Sequence, residues 1–211
     1  MRPFFVMAYT LIRAGVTFGQ TVIGIIFRPY ETYRRIAMYG KLLELMYIVV
    51  LLALYFATAA LVKTSLFTPF LLTRKFLVLT GAAAYTFIIA VSLFWFLGKL
   101  FGSSGTLRTI ALGWAYSLVP TWGWFFLTSI LYVILPPPRT TRTGGMIFSF
   151  VYLLISTVLF LWKIILSFLT LRFGLKLDFI RILAICTIAL PILALYSLGM
   201  YRLGIFRIPF I

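Results

Sequence analysis

The side chains able to do acid–base, nucleophilic or metal chemistry in this 211-residue chain are few. Its only acids are Glu31, Glu44 and Asp178, its one cysteine is Cys186, and it has no histidine. No two carboxylates are spaced for paired acid–base work. No Cys or His cluster offers a metal its ligands, and no glycine loop is built to cradle a phosphate. Catalytic, cofactor and metal sites are therefore expected to be absent, and the role to be non-enzymatic. What remains is charge inside apolar runs, which is costly in hydrocarbon and points to function by default. Glu44 opens one such run beside Lys41, where an interfacial i, i+3 ion pair is expected in preference to proton coupling. Lys163 follows an apolar run from Met146, and its stem is expected to snorkel to the inner interface. Asp178, between Lys176 and Arg181, is expected to be a solvated salt-bridge member.

Membrane-embedded helices must position these groups. Hydrophobic residues make up 64% of the chain and charged ones 10%, against about 25% charged in soluble domains. Lys and Arg number 19 against three acids. The cations lie between apolar runs, where anionic lipid headgroups and orientation in the bilayer explain them better than nucleic acid does. The expected fold class is an all-α polytopic membrane protein: about five transmembrane helices preceded by N-terminal interfacial or amphipathic helices. The expected divisions are an N-terminal interfacial region (1–41), a five-span membrane domain (42–205) and a short tail (206–211).

Residues 14–27 form a charge-free run too short to span comfortably, weakened by Gly15, Gly19 and Gly24, so an interfacial or re-entrant helix is expected. A short amphipathic surface helix follows. Pro29 suits its first position, Glu31 its first turn and Gly40 its stop, and Arg28, Arg34, Arg35 and Lys41 are placed to meet lipid headgroups. The expected spans are 45–62, 76–98, 108–138, 146–162 and 182–201. Residues 63–75 form an apolar connector expected to dip into the interface. Gly102-Ser103-Ser104-Gly105 forms a turn, with Thr106 as the next helix's cap. Gly81 in the second span and Gly113 in the third offer close-packing surface, with Tyr116 near Gly113. Pro120 and Pro191 are expected to kink their spans, and Pro136-Pro137-Pro138 to stop the third. With the N-terminus inside, 11 Lys and Arg face the cytoplasm and seven lie outside, the orientation that the positive-inside rule favours.

Two stretches carry a resemblance: Arg28-Pro29-Tyr30-Glu31-Thr32-Tyr33-Arg34-Arg35-Ile36, and Ala115-Tyr116-Ser117-Leu118-Val119-Pro120. Their order, before and within five hydrophobic segments, resembles the Yip1-domain family. The stretch from Ala115 to Pro120 is similar to that family's Gly-Tyr-x-x-x-Pro element, with Ala115 in place of glycine. The resemblance implies a five-span fold with a cytosolic N-terminus. It also implies, for eukaryotic members, links to Rab-type GTPases and ER–Golgi traffic. The chain lacks the Asp-Leu-Tyr-Gly-Pro element and the long polar N-terminal region of that branch, which points to a prokaryotic-type member in the cell (inner) membrane rather than in the ER or Golgi. The expected function is a membrane scaffold or accessory subunit of a larger complex, or a part in membrane organisation. Its expected partners are the lipid bilayer, anionic lipids and other membrane subunits or itself. The alternative is a permease or a membrane subunit of a transporter.

Overall fold

The computed structural model describes residues 2–63, 69–134 and 143–205, and among them every regular element is an α-helix. Hydrocarbon offers backbone groups no water, so helices that satisfy their own ladders are the natural solution. In chain order they are α1 (Arg2–Phe27), α2 (Pro29–Tyr39), α3 (Leu43–Lys63), α4 (Pro69–Leu100), α5 (Leu107–Tyr116), α6 (Val119–Ile134), α7 (Thr143–Leu175) and α8 (Phe179–Arg202). The chain is an all-α polytopic membrane protein.

The central post is α5. Its Ile110 and Trp114 join a core with α4, α7 and α8, while Leu112, Ala115 and Tyr116 join a second core with α1, α2, α3, α6 and α7. Gly113 lets α7 come close, since a Cβ there would lie 2.8 Å from the Thr170 methyl. At one end, α7 finishes with carbonyls that its own ladder cannot satisfy. Ser103 Oγ donates to the Leu175 carbonyl at 2.6 Å, and Thr109 Oγ1 to that of Gly174 at 2.9 Å. The Arg181 guanidinium donates to the Phe101 carbonyl at 3.3 Å, so α8 begins at the same end. The end of α1, all of α2, the start of α3 and the α4–α5 turn gather there too. With them come Arg28, Arg34, Arg35, Lys41, Lys99, Arg108, Arg172, Lys176 and Arg181.

Several expectations change. Residues 14–27 are not a short isolated run but part of a continuous 26-residue helix. Tyr9–Phe27 is long and apolar enough to cross a membrane by length and composition. Its contacts, however, do not advance along α3 as those of an antiparallel neighbour would. Tyr9, Arg13, Ala14 and Thr17 share a cavity with Lys41, Leu43 and Glu44, and the Tyr47 hydroxyl donates to the Leu11 carbonyl at 2.5 Å. Tyr9 to Thr17 cover about 12 Å of helix yet meet only the start of α3, so α1 lies across its first turns.

The third span breaks instead of kinking. Between α5 and α6, Ser117 N–H reaches the Gly113 carbonyl at 2.9 Å and Leu118 N–H that of Ala115 at 3.1 Å. Pro120 then falls in the first turn of α6, where its missing N–H removes no helical bond. The fourth span does not end near Lys163. The helix runs on to Leu175, roughly 18 Å further, which leaves Lys163 half-buried in mid-helix. Pro191 sits exposed inside an uninterrupted α8. Residues 69–75 of the expected connector are the first turns of α4; residues 64–68, the stop at Pro136-Pro137-Pro138 and the tail 206–211 lie outside the described residues.

Candidate functional site

The two stretches singled out in the sequence meet in space. Tyr33, buried on the inner face of α2, donates its hydroxyl to the Gly113 carbonyl of α5 at 3.3 Å. Burial pushes its phenol well above the ordinary value, so it stays a neutral donor. Beside it, Tyr30 packs edge-on against Phe173 of α7 at 4.9 Å. The turn from α1 into α2 is equally tight: Thr32 Oγ1 donates to the Arg28 carbonyl at 2.8 Å, and a Cβ on Gly24 would lie 2.6 Å from Thr32 Oγ1. At the far end of α2, Gly40 leaves no room for a Cβ against the Ile36 carbonyl, and Arg108 of α5 donates to the Gly40 carbonyl. These bonds hold the N-terminal helices to the end of the bundle.

Beneath them lies Glu44, only 3% exposed. The expected ion pair with the Lys41 ammonium is not what holds it. Glu44 Oε1 accepts from the Lys41 backbone N–H at 3.1 Å, and Oε2 accepts from the Tyr116 hydroxyl at 2.5 Å. Tyr116 is wholly buried, and the Phe18 ring of α1 stacks between Tyr116 at 5.9 Å and Tyr47 at 5.7 Å. A charge this deep needs such hydrogen bonds to persist.

Glu44 also lines two cavities. The larger, about 170 Å³, is bounded by Tyr9, Thr10, Arg13, Ala14, Thr17, Lys41, Leu43 and Glu44. The smaller, about 50 Å³, is bounded by Thr21, Arg35, Ile36, Tyr39, Gly40 and Glu44. The structure thus brings together Glu44, Tyr116, Lys41, Arg35 and, through Tyr33, Gly113. Arg34 lies exposed on α2 and Arg28 exposed at its N-cap, in a 3.7 Å surface pair with Glu31. Gly81 faces outward on α4, and Lys163 and Pro191 stand elsewhere on α7 and α8. Asp178 takes the N-cap position of α8, outside any ion pair among the described residues. Sequence reasoning overlooked Arg13, whose signal was a lone cation inside an apolar helix, and the tertiary roles of Phe18, Tyr47 and Arg108.

A helical membrane bundle, capped at its basic end by two N-terminal helices and centred on a broken span, is the class that these features define. The chain belongs to the Yip1 domain family, whose model matches residues 23–201, from late α1 to the end of α8. Comparison with curated proteins and with solved structures returned no match.

Proposed function

We propose that this member of the Yip1 family works by binding rather than by catalysis, as a scaffold or accessory subunit of a membrane complex. The observation that carries this reading is the packing at the α5–α6 break. Transporters keep their substrate sites where spans are discontinuous. Here that place is filled by Tyr116, Ser117, Pro120 and Leu166, all fully buried. The two cavities at Glu44 are lined by neither Pro120, Pro191 nor Lys163. Outward surface is what the fold offers partners. Gly81 has open space around its Cβ position, and Ala84, Tyr85 and Ile88 beside it are exposed, a face suited to another helix. The basic end belongs in the cytoplasm on the positive-inside rule. There Arg28, Arg34, Arg35 and Lys41 meet anionic headgroups, in a prokaryotic cell membrane or, for a eukaryotic chain, in the ER or Golgi.

The test is gentle solubilisation of the full chain from native membranes, alone and as Gly81→Leu. A stoichiometric membrane partner that follows the wild type and is lost from the variant supports the reading. A chain that elutes alone and moves a solute across liposomes overturns it.

A further inference from the structure

The larger cavity at the crossing of α1 and α3 has a chemistry that the scaffold reading leaves unused. Two cations, Arg13 and Lys41, line it, and neither forms an ion pair among the described residues. Arg13 sits exposed in an apolar helix, between Ile12 and Ala14, with no acid answering it among the described residues. The Tyr9 ring stands at the same opening, exposed, with an amphipathic side chain typical of membrane interfaces. The one opposing charge is Glu44, whose two oxygens already accept from Lys41 N–H and the Tyr116 hydroxyl. Arg13, Lys41 and Glu44 together leave one positive charge, the complement of a phosphodiester. The volume, about 170 Å³, would hold roughly six waters at about 30 Å³ each, enough for a phosphate and part of its substituent.

The cavity's rim decides the source of that phosphate. Leu43 lines the cavity and starts an outward stripe of α3 that continues through Met46, Val50 and Leu54, all exposed. On α1, Ile12 and Val16 are exposed too. A free phosphate has no use for apolar walls, whereas acyl chains do. We propose that this corner is a binding site for one membrane phospholipid. Arg13, Lys41 and the Tyr9 hydroxyl hold its phosphodiester, and its acyl chains lie along Leu43, Met46, Val50 and Leu54. The inference deepens the lipid-surface part of the preceding reading and needs no protein partner. It places a single retained lipid at α1–α3, separate from the diffuse attraction of Arg28 and Arg34.

Native mass spectrometry of the detergent-purified full chain in micelles doped with phosphatidylglycerol tests it. The wild type should retain one lipid. Arg13→Gln/Lys41→Gln should retain about tenfold less, the loss expected when charge-assisted phosphate bonds are removed. Thr17→Phe, which fills the cavity and keeps both cations, should lose the lipid as well, while Arg28→Gln/Arg34→Gln should keep it. Equal loss from both double-Gln variants would mean diffuse surface attraction and overturn the site. Displacement of the lipid by millimolar inorganic phosphate would overturn its lipid identity. Retention by Thr17→Phe, with an unchanged thermal unfolding profile, would also overturn it. None of these outcomes depends on whether Gly81→Leu loses a protein partner.

Discussion

Tyr116→Phe removes one oxygen from the protein interior and nothing else. That oxygen donates to Glu44 Oε2 at 2.5 Å, in surroundings where the tyrosine is 0% and the glutamate 3% exposed. Phenylalanine keeps the ring stack on Phe18, so the change isolates the hydrogen bond. A bond to a charged acceptor contributes about 1.5–3 kcal/mol, and a buried acceptor left unanswered adds its own desolvation cost. Oε1 keeps the Lys41 N–H, which holds the expected loss to about 2–3 kcal/mol. At about 1.4 kcal/mol per decade this is roughly a 30- to 140-fold shift toward the unfolded form. Equilibrium unfolding in mixed micelles would read it, for Tyr116→Phe, Glu44→Gln and the double variant together. Because the two residues share one bond, the double variant should cost clearly less than the two singles added. A single-variant loss under 0.5 kcal/mol, or strict additivity, would refute the claim that this pair fixes α3 to α5.

Three further changes probe the same end of the molecule. Gly105→Ala would set a Cβ 2.1 Å from the Gly174 carbonyl and 2.7 Å from Leu175 Cα, both unyielding backbone, and should cost about 3 kcal/mol or more in thermal unfolding. Gly123→Ala, with nothing within 4 Å, is its control and should gain up to about 1 kcal/mol. Gly24→Ala should weaken the α1–α2 turn, seen as faster proteolysis near Arg28, and Thr32→Ala should rescue it by removing the oxygen 2.6 Å away. Lys176 holds φ +56 just beyond α7, so Lys176→Gly should raise stability by about 0.5–1 kcal/mol on the same unfolding curve.

Features fixed by neighbouring residues were legible in the sequence. Thr106 caps α5 in a reciprocal pair with Thr109, and α2 starts at Pro29 and ends before Gly40. The uncharged runs marked the apolar helices, because a bilayer imposes length and composition directly. What escaped depended on distant partners. Glu44 had a plausible partner three residues away, yet its carboxylate is held in part by a hydroxyl 72 residues along. Pro120 marks a weak place in a span, but whether the chain bends or restarts there depends on how Ser117 and Leu118 rebuild the backbone bonds. The uncharged stretch after Met146 suggested an end at Lys163, whereas packing against α5 and α6 carries the helix through it. Arg13 cut off residues 14–27 as a run that looked too short, and the cavity beside it needed α1 and α3 in place.

The two buried stitches have a bearing on the order in which the molecule can be made. Ser103 waits for the Leu175 carbonyl and Glu44 waits for the Tyr116 hydroxyl, each 72 residues downstream. As the chain emerges, α3 must therefore enter the bilayer with its carboxylate still solvated at the surface, whatever its final burial. The α4–α5 turn likewise stands open until the last turn of α7 arrives. Any chain interrupted before Leu175 is left with a finished-looking front half and an unlatched end.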